Sequence, residues 1–295
     1  MSRWATRLAL LPGLVWALVF VVGSMVMLFG VSLSTVDILG RPAEPFGNPP
    51  IIGGNWENWQ RLTQDPTIWR PVLRSLVFAG SATVISLALA LPAAYGIARY
   101  GGRLKLVLVL AILLPFWVNY LVRTYAWLVI VRDDGLMNQA LSVVGLGPWQ
   151  VTNTPIAVIG GLVYSFLPWM ILPILVSMDR IPGHVLDASR DLYGGPLATF
   201  FLVTVPAARF GILAGCVFNF LPGFGDFITA DMLGGPDTFM LGNFIQLAVY
   251  GGTDLPYGAV LSFAMLLALS VLMFGYLRAL ARADRRAGSR ELASS

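Results

Sequence analysis

Long apolar stretches separated by short polar connections run the length of this chain. Segments at roughly 8–33, 75–98, 104–131, 155–178, 204–230 and 257–281 are each apolar for the ~20 residues a helix needs to cross a bilayer. The pattern predicts six membrane-spanning helices and an all-α polytopic protein. The first span opens with Arg3 and Arg7 ahead of an apolar run too long for a signal-peptide core, so it reads as an uncleaved anchor. The connection 34–74 is Pro/Gly-rich as far as Gly54 and then reads Asn55-Trp56-Glu57-Asn58-Trp59-Gln60-Arg61-Leu62. Trp56, Trp59 and Leu62 share one face of a short helix there, suited to the headgroup layer or to docking a soluble partner.

Composition agrees with the pattern: 57% of the 295 residues are apolar and 12% are charged, with mean hydropathy +0.76. A soluble domain carries about 25% charged residues, and the short connections leave no room for one. The net charge of +4 comes from 18 Arg and one Lys. In a soluble chain that excess would suggest nucleic acid; here its placement sets topology, and no nucleic-acid partner is expected. With both termini in the cytoplasm, 13 basic residues fall on the inner side and six on the outer, as the positive-inside rule requires. The chain divides into an anchor and external loop (1–74), a core of five spans (75–281) with a cytoplasmic loop at 179–203, and a basic tail (282–295). Cys216 is a lone thiol in an apolar segment and reads as a small buried hydrophobe.

One polar island keeps helical spacing. After Pro182, which suits a first helical turn, Val185, Ala188 and Leu192 form an apolar stripe, while His184, Asp187, Arg190 and Asp191 face the other way. Gly194-Gly195-Pro196 breaks the chain, and Leu197, Phe200 and Phe201 mark a second short helix. Such a pair can lie flat on a membrane or project as a knob into a cleft of another protein.

The spacing of Asp187-Ala188-Ser189, Val203 and Val205-Pro206 resembles the EAA loop of binding-protein-dependent ABC importer permeases: Glu-Ala-Ala, three residues, Gly, nine residues, Ile-x-Leu-Pro. Departures are Asp for Glu, Ser for the second Ala, Val for Ile and Leu, and Tyr193 in the Gly position, with Gly194 one residue later. Leu114-Pro115-Phe116-Trp117 with Leu121–Trp127, and Leu221-Pro222-Gly223-Phe224-Gly225-Asp226-Phe227, are similar to the spermidine/putrescine-type members, and the likeness covers roughly 55–280. The resemblance implies the MetI-like permease fold in a bacterial inner membrane. It also implies two permease subunits, identical or homologous, a cytoplasmic ABC ATPase dimer that binds ATP and Mg, and an extracytoplasmic solute-binding protein. Asp187, Ala188, Ser189, Arg190, Asp191, Tyr193, Gly194 and Pro206 would then form the ATPase-coupling loop. The solute implied is a polyamine; other small organic cations, opine-like acids and ferric iron stay open.

Polar groups within spans face protein or water, since insertion costs about 2.5–3.5 kcal/mol per charge. Trp117, Asn119, Arg123, Tyr125, Trp169, Asn219, Asp226 and Asp231 are therefore candidates for the translocation path, with structural pairing as the alternative for Arg123 and Asp226. Carboxylates and aromatic faces suit ammonium groups. Gly211-x-x-x-Gly215 could form a close-packing or dimer face. The sequence has no phosphate loop, zinc motif or nucleophile elbow, so a transport subunit without an ATPase site or cofactor of its own is expected. The rivals are a stand-alone secondary carrier, disfavoured because paired broken helices are not visible, and an intramembrane enzyme or scaffold.

Overall fold

The computed structural model describes residues 11–13, 15–35, 56–192, 194–251 and 254–294; of Arg190 and 279–294 it describes the backbone alone. Arg3, Arg7 and Tyr193, residues 36–55 of the 34–74 loop and the side chains of the basic tail lie outside that description. Among the described residues every regular element is helical. Among the described residues four helices are long and apolar enough to span a bilayer: α1 (Leu11–Ser32), α3 (Trp69–Tyr100), α7 (Pro155–Asp179) and the apolar part, Leu255–Arg278, of α12 (Leu255–Ser294). The count reaches six if each of two bent helix pairs is one span.

Those bent pairs differ from the straight third and fifth spans that hydropathy predicts. The third is broken between Gly102–Trp117, which contains α4 (Lys105–Leu113), and Tyr120–Val143, which contains α5 (Tyr120–Val131) and α6 (Leu136–Val143); the bend is 98°. Val118 and Asn119 are extended at the break, and the Asn119 side chain accepts from the Leu121 amide at 2.9 Å to start α5. The fifth joins α9 (Pro196–Ala207) to α10 (Arg209–Gly225) at 72°. Asp226 is then extended, and α11 (Ile228–Leu233) begins. Hydropathy windows sum composition and are blind to direction. The broken helices also remove one argument made above against a secondary carrier.

The chain forms two compact units. One holds residues 1–70 and 244–272. In it α2 (Glu57–Gln64) is tied to the end of α1: Asn58 Nδ2 donates to the Ser32 and Ser34 carbonyls (3.2 and 3.1 Å), and Trp59 Nε1 to Ser32 Oγ (3.1 Å). The Trp59 ring packs on Phe29 and Phe263 with centroids 6.1 and 5.9 Å away. Of the expected interfacial face, Trp59 is thus taken up by protein packing, and Trp56 remains half exposed. Arg61 pairs with Asp254 at 2.5 Å and lies 4.3 Å over the Tyr257 ring. The Thr67 hydroxyl and amide hydrogen-bond to Asp65 and hold its carboxyl below the usual range.

The other unit holds residues 71–243 and 273–295 and is built around α7. Toward the N-terminal end of α7, Val158 and Leu162 pack with Phe78 and Ala82 of α3, Val131 of α5 and Leu233 of α11. Toward its C-terminal end, Met170, Ile174 and Met178 pack with Ala90, Ala94 and Ala208. Lipid tails are as apolar as a leucine core, so close backbone approach drives such contacts. The buried Gly211, Gly215, Asn219 and Gly223 recur every four residues and form one face of α10. A Cβ on Gly211 would sit 2.4 Å from the Pro173 carbonyl oxygen, and one on Gly215 2.8 Å from Met170 Sδ. The Gly211-x-x-x-Gly215 face is occupied by α7 of the same chain. Arg99 of α3 donates to the Met178 and Ile181 carbonyls (3.1 and 3.2 Å), placing a cation at the C-terminal end of α7.

Candidate functional site

The polar island folds as the two short helices predicted, but its covered side is Leu186 with Val185, and Ala188 and Leu192 of the predicted stripe are exposed. Helix α8 (Gly183–Asp191) is followed by a turn and then by α9. Gly194 closes the turn by donating its amide to the Ser189 carbonyl at 2.9 Å. Across it, Ser189 Oγ and Thr199 Oγ1 are 2.9 Å apart, and Thr199 Oγ1 also reaches the Gly194 carbonyl at 3.4 Å. A Cβ on Gly194 would meet the Ser189 carbonyl oxygen at 2.5 Å and its Oγ at 2.8 Å. Glycine is therefore required one residue after the position expected from the motif.

Leu186 is buried and Val185 half-buried, whereas Asp187, Ala188 and Asp191 are exposed. Leu192, Leu197, Phe201 and Leu202 are 83, 74, 60 and 75% exposed, an apolar surface on an otherwise polar loop. Pro206, exposed, lies two residues before the 72° bend. A cavity of about 580 Å³ opens at the root of the loop between Pro173, Val176, Arg180, Val185 and Phe210.

The second feature gathers at the break of the third span. Asp226 is buried, and its Oδ2 accepts from the Tyr120 hydroxyl at 2.5 Å and from the Thr229 hydroxyl. Its Oδ1 accepts from the amides of Ile228 (2.9 Å) and Thr229 (3.2 Å), which starts α11. Arg123, 7% exposed, holds its guanidinium carbon 4.6 Å over Phe116 and 5.3 Å over Tyr120. Phe116 meets Trp169 edge-on at 5.6 Å, and Tyr120 stacks on Phe166 at 6.2 Å. Asn219 is buried on α10; its Oδ1 accepts from Thr83 Oγ1 at 3.4 Å, and its Nδ2 has no partner among the described residues.

Of the eight expected path residues the fold thus brings together Arg123, Asp226 and Trp169. Asn119 caps α5, while Trp117, Tyr125 and Asp231 are exposed. Of the residues that assemble the cluster, Phe116 lies in the quoted motif Leu114–Trp117, whereas Tyr120, Phe166 and Thr229, from α5, α7 and α11, were not singled out by the sequence. Among the described residues no group of three His, Cys, Asp or Glu could hold a metal ion.

Residues 82–289 match the family described as binding-protein-dependent transport system inner membrane component. The chain belongs to this family. Two relatives extend the match to nearly the whole length: the spermidine/putrescine transport system permease protein PotB of Haemophilus influenzae, 33% identical over 266 residues, and PotB of Escherichia coli, 32% identical over 266. Each alignment covers 90% of this chain, with 90 and 94% of the respective relative. The crystal structure of a bacterial ABC transporter involved in the import of the acidic polysaccharide alginate superposes with TM-score 0.74 at 15% identity, covering 95% of this chain and 96% of its own. That likeness speaks to fold: this is an ABC importer permease fold, and the chain is a multi-pass inner-membrane transport component.

Proposed function

We propose that this chain is the permease subunit of an ATP-driven polyamine importer, taking spermidine or putrescine from an extracytoplasmic binding protein. The observation that carries the reading is identity of 32–33% over nine-tenths of the chain to permeases named for that transport. In this reading 75–281 is the permease core, both termini are cytoplasmic, and the core pairs with a second permease subunit. The loop at 179–203 seats on a cytoplasmic ATPase dimer that supplies ATP and Mg. Two features support that docking: the exposed apolar surface Leu192, Leu197, Phe201 and Leu202, and a clasp that holds α8 and α9 as one rigid knob. Closure of the ATPases moves the loop, and differential contact with the two states shifts the permease between outward and inward opening. Arg123, Asp226 and Trp169 belong to the translocation path.

The test is gentle purification of the tagged chain from native membranes, mass spectrometry of what accompanies it, and reconstitution with the binding protein and radiolabelled spermidine. An ATPase retained by the wild type and lost when 187–200 is scrambled, with ATP-dependent uptake, is the expected outcome. A chain that comes out alone yet moves solute in vesicles would establish a secondary carrier instead.

A further inference from the structure

Arg123 is a buried cation without an acid of its own. Among the described residues the ion pairs are Arg61–Asp254 and Lys105–Asp179, and no carboxylate comes within 4.0 Å of Arg123. Its Nη1 has a single long bond to the Pro115 carbonyl, 3.3 Å, and its Nε is buried without a partner. Asp226 is already engaged by two hydroxyls and two amides, and Tyr120 bonds it through its hydroxyl while offering its ring to Arg123. What holds the guanidinium is an aromatic bracket made by Phe116 on one side of the helix break and Tyr120 on the other.

A structural arginine at this depth is ordinarily paired, because an unpaired buried charge is costly. Aromatic faces attract any cation through the ring quadrupole and demand no donor geometry, so this bracket can exchange one cation for another. Irregular backbone at membrane depth is tolerated where it is enclosed by protein or lines a water-filled cavity. Val118 and Asn119, at the break, are exposed.

We infer that Arg123 is a tethered plug: its guanidinium fills a cation bracket in the resting permease, and its charge bars other cations until a solute ammonium takes its place. Exchange requires the Arg123 guanidinium to leave the space between Phe116 and Tyr120, which the solute ammonium then fills. A fixed positive charge in a narrow path is a known barrier to cation leakage. The inference rests on the importer reading for the identity of the solute, but the plug itself needs only a cation.

The experiment uses the purified complex in proteoliposomes, without ATP or binding protein, and reads passive efflux of two trapped probes, tetramethylammonium and chloride. Arg123→Gln should raise tetramethylammonium efflux about tenfold over wild type and leave chloride unchanged, with R123K between the two. Phe116→Leu, which keeps the charge but removes one wall, should leak cations as well. The inference is overturned by an R123Q complex, with its ATPase still bound, that is as tight as wild type, or by equal gains for both probes, which would signal a packing hole. If R123Q does not assemble, a tight F116L complex overturns it on its own. ATP-dependent spermidine uptake by the wild type is scored separately. Absent uptake with a leaking R123Q removes the polyamine and keeps the plug; normal uptake with a tight R123Q does the reverse.

Discussion

Asp226 is the residue whose environment says most about its role. Four donors converge on its two oxygens, and an amide side chain in its place would turn one acceptor into a donor facing either two hydroxyls or two backbone N–H groups. Asp226→Asn should therefore destabilise the assembled protein by about 1–3 kcal/mol, read as a lower thermal midpoint in detergent. A variant with wild-type stability and a raised KM for uptake would instead place Asp226 in contact with solute. Gly194 makes the same kind of statement about the loop: the Ser189 carbonyl leaves no room for a Cβ. Gly194→Ala should leave the membrane helices intact but weaken ATPase retention on purification, and Ser189→Ala, losing one hydroxyl bond worth about 1 kcal/mol, should do so less.

At the level of elements, the α7–α10 contact is a backbone-to-backbone interface. Gly211 and Gly215 sit against the Pro173 and Met170 carbonyl oxygens, so a side chain at either position must push the helices apart. Gly215→Leu should cost more than the 1–3 kcal/mol of ordinary overpacking, measured as loss of folded protein after membrane extraction. A well-folded G215L would mean that this helix pair separates easily. The breaks in the third and fifth spans are elements of a different kind. They end helices where Asn119 and Asp226 can satisfy the freed amides, and they leave the segments beyond free to turn. Hydropathy finds the segments; the caps at the breaks are local, Asn119 to Leu121 and Asp226 to Ile228 and Thr229, and a hydropathy window does not record them.

For the whole molecule, the basic-residue asymmetry and the loop position predict one accessible face. A single cysteine at Leu192, in a background with Cys216→Ser, should react with a membrane-impermeant maleimide in inside-out vesicles but not in right-side-out ones. Bound ATPase should protect it. Labelling from the outside would invert the topology. Protection without ATPase would mean that the loop lies in the lipid headgroups.

The sequence by itself determined the class of the protein, because crossing a bilayer constrains composition over ~20 residues at a time and that constraint is local. It also determined that two short helices follow Pro182, since the Gly and Pro positions between them follow a short spacing. Tertiary structure decided what the polar groups inside the membrane do. Asn119 became a cap, and Tyr125 and Trp117 faced outward. Arg123 and Asp226 came to share Tyr120, which the sequence had not singled out. It decided too that Gly211 and Gly215 serve a contact within the chain, and that Gly194, one place late, makes the turn. The decisive contacts join segments tens of residues apart, Tyr120 with Asp226 and Gly211 with Pro173. A linear pattern records the chemistry of a side chain, and only the packed helices supply its neighbour.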